Sequence, residues 1–288
     1  MRRSWCVRDG MAPTASPTSS TPTPGRRTTI RTLTATAGAK RGTPSTKSGP
    51  WISRALTSAW AQPPKWRNYD VTPLHWIYRT DKKVDFVSDD DLERFKSGHQ
   101  LVRLYDLIVF PGHEEYVTTH IYNLIAAYRN LGGNLMFLSA TNFLWRIDRH
   151  GNTIRRVAQW RQLGRPESRL VGVQYRGNDE GEHRGPYEPT SFGRSSWVFA
   201  GVDQSRLLPW RWFGIEFDRT TSVSPRSIHV LAEVNPHMRD RGLRGQMTYY
   251  ERGRAKVFAS GILNFPSTAY FSPYGQVLEN LWKRLSKP

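Results

Sequence analysis

Residues 105–145 read YDLIVFPGHEEYVTTHIYNLIAAYRNLGGNLMFLSATNFLW. The apolar run Leu107-Ile108-Val109-Phe110 has the length and content of a buried strand. Thr118 and Thr119 offer an N-cap, after which Ile121, Leu124, Ile125, Tyr128 and Leu131 recur at helical spacing. Gly132-Gly133 supplies a left-handed stop, and Leu135 to Leu138 forms a second apolar strand. The unit is βαβ, so its strands are expected to be parallel with a right-handed crossover, in an α/β fold. Ligands of such sheets bind beyond the carboxyl ends of the strands. Those ends carry Gly112-His113-Glu114-Glu115-Tyr116 and Ser139-Ala140-Thr141-Asn142, which become the candidate site.

Working outward, the chain of 288 residues divides by composition. Residues 1–66 contain eleven Lys or Arg, one acid (Asp9), no Phe or Tyr, and 28 Ser, Thr or Pro. Such a stretch buries too little apolar surface to offset chain entropy, so a disordered basic leader is expected, and 67–288 is expected to be the folded domain. The leader carries +10 of the net +18. Charge of that kind could neutralise phosphates. Its Thr/Arg/Pro bias equally resembles translation from a mis-assigned start, and it lacks the alternation of aromatic and basic residues of a stacking platform, so nucleic acid is not an expected partner. Arg2-Arg3 is followed by no apolar signal core, and no run reaches membrane-spanning length, so no membrane partner and a cytoplasmic location are expected. The one cysteine, Cys6, lies in the leader, which excludes intramolecular disulfides, thiolate metal clusters and a core cysteine nucleophile.

Around the central unit, Val71 to Tyr78 suits a short helix and Lys83 to Val87 a strand. Ser88 and Asp91 have capping-box spacing ahead of a helix, which accounts for the Asp89-Asp90-Asp91 run better than a metal site does. Arg146–Arg149 and Thr153–Val157 flank His150-Gly151-Asn152 as a hairpin. Residues 176–194 form a long polar loop with Asp179, Glu180, Glu182, His183 and Glu188, residue types that suit either acid/base work or a plain surface excursion. Further strands are expected at 170–175, 197–200, 213–217, 228–234, 247–250 and 256–259, before an amphipathic helix bearing Leu278, Leu281, Trp282 and Leu285. Phosphate-loop, dinucleotide, zinc-protease and G-x-S-x-G signatures are all missing.

Gly112-His113-x-Glu115-Tyr116, Gly132-Gly133-Asn134-Leu135-Met136-Phe137-Leu138-Ser139, Asn142-Phe143-Leu144-Trp145, and Trp160-Arg161-x-x-Gly164-Arg165-Pro166 together resemble the C-terminal domain of the N,N-dimethylformamidase large (beta) subunit. The likeness runs from about Asn68 to the C-terminus. It implies a flavodoxin-like core, similar to class I glutamine amidotransferases, with an added β-rich C-terminal part. Amidotransferase thiol chemistry is excluded by the lack of a core cysteine, and Ser139 has no identifiable base. The resemblance further implies hydrolysis of a small amide with a mononuclear iron held by two tyrosinates and a glutamate. Tyr116 matches one tyrosine. The second is unplaced, with Tyr69 and Tyr78 in the upstream region. The glutamate-bearing insertion is missing, since the hairpin Arg146 to Gln159 contains no glutamate; Glu115 and Glu182 are the substitutes on offer.

Two functions follow as expectations. In the first, a small amide sits over the strand ends, with Glu115 as general base, His113 or Asn142 polarising the carbonyl, and Tyr116 as metal ligand. In the second, the same fold is a non-catalytic binding or assembly module. The expected protein partner is a second copy of the chain or a small accessory subunit. For His113, Glu115 and Tyr116 the alternative is helix capping and packing, and for Asn142 a turn amide.

Overall fold

The computed structural model describes residues 71–150, 153–207, 212–234, 243–268 and 273–287, with the backbone of two short strands at 5–7 and 27–30. The rest of 1–70, and with it most of the expected disordered leader, lies outside the described residues. In chain order the strands are β1 Trp5–Val7, β2 Arg27–Ile30, β3 Asp85–Phe86, β4 Tyr105–Phe110, β5 Tyr116–Val117, β6 Asn134–Phe137, β7 Trp145–His150 and β8 Thr153–Gln159. They continue as β9 Gln174–Asn178, β10 Arg184–Gly185, β11 Tyr187–Pro189, β12 Phe213–Gly214, β13 Glu216–Arg219, β14 His229–Val234, β15 Gly245–Arg252 and β16 Ala255–Ala259.

The central unit forms as its periodicity predicts. Strands β4 and β6 pair in parallel, with Ile108 opposite Leu135 and Phe110 opposite Phe137. The helix Thr119–Asn130 joins them, capped by the Thr118 hydroxyl, which accepts from the Ile121 N–H. Gly132 ends the connection at φ +100°, a conformation that glycine adopts without steric cost. Alternate residues of β4 face opposite sides of the sheet. Ile108 and Phe110 pack against Ile121, Leu124, Ile125 and Tyr128 of that helix. Leu107 and Val109 face a second core with Val277, Leu278, Leu281 and Leu285 of the helix Tyr274–Leu285. Both faces are covered, which is why the strand reads as one continuous apolar run.

The flavodoxin-like, class I glutamine amidotransferase-like parallel core is not what the chain builds. The main sheet runs β1-β3-β2-β4-β6-β16-β15-β14-β11. Parallel pairing extends from β6 to β16, but β16–β15, β15–β14 and β14–β11 are all antiparallel. A parallel sheet needs a long crossover between each pair of strands, usually a helix. After β6 the chain supplies hairpins instead, with β7 and β8 turning about His150 and β15 and β16 turning at Gly253. Three of the strands expected as a β-rich appendage, β14, β15 and β16, therefore belong to the nine-stranded main sheet, and the fold is mixed and β-rich. Three smaller sheets, β5-β7-β8, β9-β13 and β10-β12, sit around it.

Local signals fared unevenly. Ser88 and Asp91 do form a capping box, which places the Asp89–Asp91 run at a helix start. Trp197–Phe199, expected as strand, is a turn of 3-10 helix begun by the Ser196 hydroxyl. Leu170 to Val173 is buried turn, and the strand begins only at Gln174.

Gly98, the first residue of the short helix Gly98–Leu104, packs directly on the backbone of the central helix. A methyl at Gly98 would lie 2.6 Å from the Tyr128 nitrogen and 2.7 Å from the Ala127 carbonyl carbon. Gly98→Ala should therefore cost about 1–3 kcal/mol, read as a lowered midpoint in urea denaturation, because neither helix backbone can give way.

Candidate functional site

Three loops meet over the carboxyl ends of β4, β6 and β16. The first, leaving β4, carries Gly112 to Glu115. The second, leaving β6, carries Ser139 to Leu144. Asn142 locks them together: its Oδ1 accepts from the Glu114 N–H at 3.1 Å and its Nδ2 donates to the Ser139 carbonyl at 2.6 Å. Backbone bonds from Phe143 N–H to Glu114 O (2.6 Å) and from Trp145 N–H to Glu115 O (2.8 Å) continue the seam. The third loop follows β16. Its Leu263 carbonyl accepts from the Ser139 hydroxyl at 2.8 Å, and its Gly261 carbonyl accepts from the Asp218 N–H at 2.9 Å.

Strand β13 brings two carboxyl groups against these loops. The Thr141 hydroxyl donates to Glu216 Oε2 at 2.6 Å, and the Thr141 N–H donates to Asp218 Oδ2 at 2.8 Å. His113 stands between acids: Nε2 lies 3.1 Å from Glu115 Oε2 and Nδ1 lies 3.5 Å from Glu216 Oε2. The side chains of His113, Glu115 and Glu216 are 19%, 18% and 15% exposed, so all three keep partial solvent access in the cleft between the loops. The backbone around them is strained. Thr141, Phe143 and Ile215 hold φ of +58°, +61° and +80°, conformations that cost side-chain-bearing residues about 1–3 kcal/mol each and that cluster at functional sites.

The electrostatics follow from burial and crowding. Burial alone would push the His113 imidazole down, but Glu216, the Glu115 hydrogen bond and charge, and Asp218 raise it to about 9. Asp218 is raised to about 8, chiefly by burial, with Glu216 and Glu167 adding and the Thr141 N–H and His113 opposing. At neutral pH the site therefore holds an imidazolium between two carboxylates, with a protonated carboxyl group behind it. Asp218 Oδ1 has no hydrogen-bond partner among the described residues. Burial, reinforced by Glu115, pushes the Tyr116 phenol above its usual range against the opposing pull of Arg156. Tyr175 on β9, paired opposite Asp218, is pushed up to about 12 by burial and by Glu216, Glu115 and Asp218.

Of the residues singled out from sequence, His113, Glu115 and Tyr116 come together. Asn142 is 2% exposed and bonded to backbone on both sides, which places it as the tie between loops. Ser139, 1% exposed, donates to a carbonyl and has no base beside it. Residues 176–194, expected as a polar loop, instead carry β10 and β11, and β11 is a strand of the main sheet with Tyr187 buried; in the turn before them Asp179 accepts from the Gly181, His183 and Ile215 N–H groups. Sequence reasoning missed the bonds from Thr141 to β13, and it missed Glu216, Asp218 and Tyr175. Glu216 and Asp218 had one available signal: carboxylates two apart in a strand share a face, opposite Phe217.

The oxygen donors near His113 are carboxyl groups and phenols. Among the described residues no three of His, Cys, Asp and Glu are grouped as a metal cage, but a site built on phenols needs only one of them. Tyr78 is 84% exposed, Tyr69 lies outside the described residues, and Glu182 is exposed on its loop. Tyr116, Tyr175 and Glu216 carry hard oxygen donors of the kind a ferric ion prefers.

Both raised pKa values mean that the folded protein binds more protons than the unfolded chain. Stability should thus fall as pH rises, through Asp218 between 3.8 and about 8 and through His113 between 6.5 and about 9. Denaturation midpoints measured from pH 6 to 10 should decline across this window, and Asp218→Asn should remove the earlier part of the decline.

Comparison with known proteins adds the context. No curated protein matches the chain. Among solved structures, the exo-beta-1,4-mannosidase Op5Man5 from Opitutaceae bacterium strain TAV5 is similar at a TM-score of 0.39 and 12% identity, over 83% of this chain and 34% of that one. The chain thus spans about a third of that enzyme's length, and a likeness at this level carries no argument about fold or reaction. The family described as N,N-dimethylformamidase beta subunit-like, C-terminal, matches residues 32–270. By the extent of that match, and in keeping with the motifs at Gly112–Tyr116 and Gly132–Ser139, the chain belongs to the N,N-dimethylformamidase beta subunit-like C-terminal family.

Proposed function

We propose that the domain hydrolyses a small amide of the formamide type in the His113 cleft. The observation that carries this reading is His113 itself, protonated at neutral pH and held between Glu115 and Glu216 within reach of solvent. Amide hydrolysis needs a group that takes a proton from water and a group that gives one to nitrogen. Glu115 has the first role: it accepts a proton as water attacks the carbonyl carbon. The His113 imidazolium has the second: it first stabilises the developing oxyanion and then protonates nitrogen as the C–N bond breaks. The products are a carboxylic acid and an amine. The proton on Glu115 returns to His113 across their 3.1 Å hydrogen bond, which restores the starting state.

Glu216, oriented by the Thr141 hydroxyl, keeps His113 charged. Asp218, neutral below about 8, adds no further negative charge to the crowd. In this reading Tyr116 and Tyr175, with Glu216, would hold a ferric ion, which when bound supplies Lewis acidity. Phenols pushed above their usual range ionise only against such a cation, so loading releases protons.

The test is release of amine from a panel of formamides and short N-alkyl amides, followed with the full chain. Glu115→Gln and His113→Gln should each lower kcat by about 10²–10⁴, and kcat should fall above pH 9 as His113 loses its proton. Ferric loading should give a visible tyrosinate charge-transfer band that is lost in Tyr116→Phe. No turnover of any panel member by folded, iron-loaded protein would reject the hydrolase and leave the same fold as a binding module.

A further inference from the structure

Away from the His113 cleft, and sharing no residue with it, a cavity of about 450 Å³ opens between the helix Thr119–Asn130, the segment around Arg165–Leu170, the loop at 223–226 and the end of β15. Five arginines line it, Arg129, Arg165, Arg169, Arg226 and Arg252, and none of the lining residues is acidic. Nearby carboxylates are engaged elsewhere. Glu167 pairs with Arg161, while Glu251 accepts from the Tyr249 hydroxyl at 2.5 Å and lies 4.0 Å from Arg284.

Arg129 makes the arrangement unusual. Only 5% exposed, it donates to the Tyr250 hydroxyl (2.9 Å), the Arg169 carbonyl (2.8 Å) and the Asn130 side chain (3.0 Å), all neutral acceptors. A guanidinium cannot shed its charge on burial, and a buried charge without a counter-charge is costly. The neighbouring guanidiniums add repulsion. Arg165 is held at the rim by stacking over Tyr122 at 4.1 Å and by a 2.6 Å bond to Asn123. Arg169 is fixed by a bond to the Gly164 carbonyl at 3.2 Å. The donors are therefore oriented before any ligand arrives.

We infer that this cavity is a binding site for a small multivalent oxyanion of the diphosphate type. Planar guanidinium forks match phosphate oxygens in pairs, five positive charges call for more than a single negative one, and the volume is that of a small-molecule pocket. An anion seated there offsets the buried charge of Arg129 and the mutual repulsion of the set.

The probe is inorganic pyrophosphate, titrated calorimetrically into the full chain at fixed ionic strength, with acetate as the monovalent control and citrate as the carboxylate arm. Saturable one-to-one binding of pyrophosphate, with acetate inert, is expected, and citrate should bind more weakly. Arg226 and Arg252 are exposed, so the double substitution Arg226→Ala/Arg252→Ala should fold normally while weakening binding at least about tenfold, as expected for lost charged hydrogen bonds. Arg254→Ala, which removes an exposed arginine outside the cavity, should leave binding unchanged. Binding undiminished in the double variant would assign the anion to the basic leader and overturn the inference. Equal affinity for acetate, no saturable heat, or citrate binding more tightly than pyrophosphate would do the same.

Discussion

The site depends on the way Asn142 satisfies both loops that leave the central parallel strands. Two chain segments that end side by side at a sheet edge have no intrinsic reason to hold a fixed relation. A buried amide that accepts from Glu114 and donates to Ser139 supplies one, because leaving either backbone group unpaired in that interior would cost about 1–3 kcal/mol. With the loops fixed, His113 and Glu115 on one side and Thr141 on the other meet β13 at a set distance. The left-handed backbone at Thr141, Phe143 and Ile215 is the strain that this fixed geometry imposes.

The charge distribution divides the molecule into two regimes. Around His113, acids outnumber bases, so protons are retained: an imidazolium persists and one carboxyl group stays neutral. Around Arg129, bases stand without acids, and no proton can be released to relieve them. The first region adjusts its own charge by titration, whereas the second can be neutralised only from outside. That difference is why a histidine-and-carboxylate cluster suits proton transfer and an arginine cluster suits ligand capture.

Much of the local structure was legible from the chain because it rests on near neighbours. The Thr118 cap, the Gly132 stop, the Ser88 box and the turn about His150 each depend on residues within a few positions, and each formed. What periodicity could not convey was pairing between distant segments. The run Lys256 to Ala259 reads as a strand, but nothing in it states that it will lie parallel to β6 and antiparallel to β15. That one placement turned an expected parallel core into a mixed sheet. The site was half legible for the same reason. His113, Glu115 and Tyr116 share one loop, whereas Glu216, Asp218 and Tyr175 reach it only through β9 and β13, and two acids on one face of a short strand look no different from a solvated edge. The cationic cavity was hidden too, since its arginines come from four separate stretches of a generally basic chain.

The pairing of β6 with β16 joins residues 134–137 to residues 257–259, and Asn134 adds bonds to the Lys256 N–H and the Leu285 carbonyl. During synthesis, then, the apolar edge of β6 has no partner until residues 257–259 have emerged. The βαβ unit can form early from local contacts, but its sheet remains open on one side and its third loop, with Gly261 and Leu263, is absent. Such an unpaired, hydrophobic strand edge is a template for association with other chains. The segment from β16 onward therefore acts as the closing step of assembly, and a chain released before it would carry His113, Glu115 and Glu216 with neither a finished sheet nor a finished site.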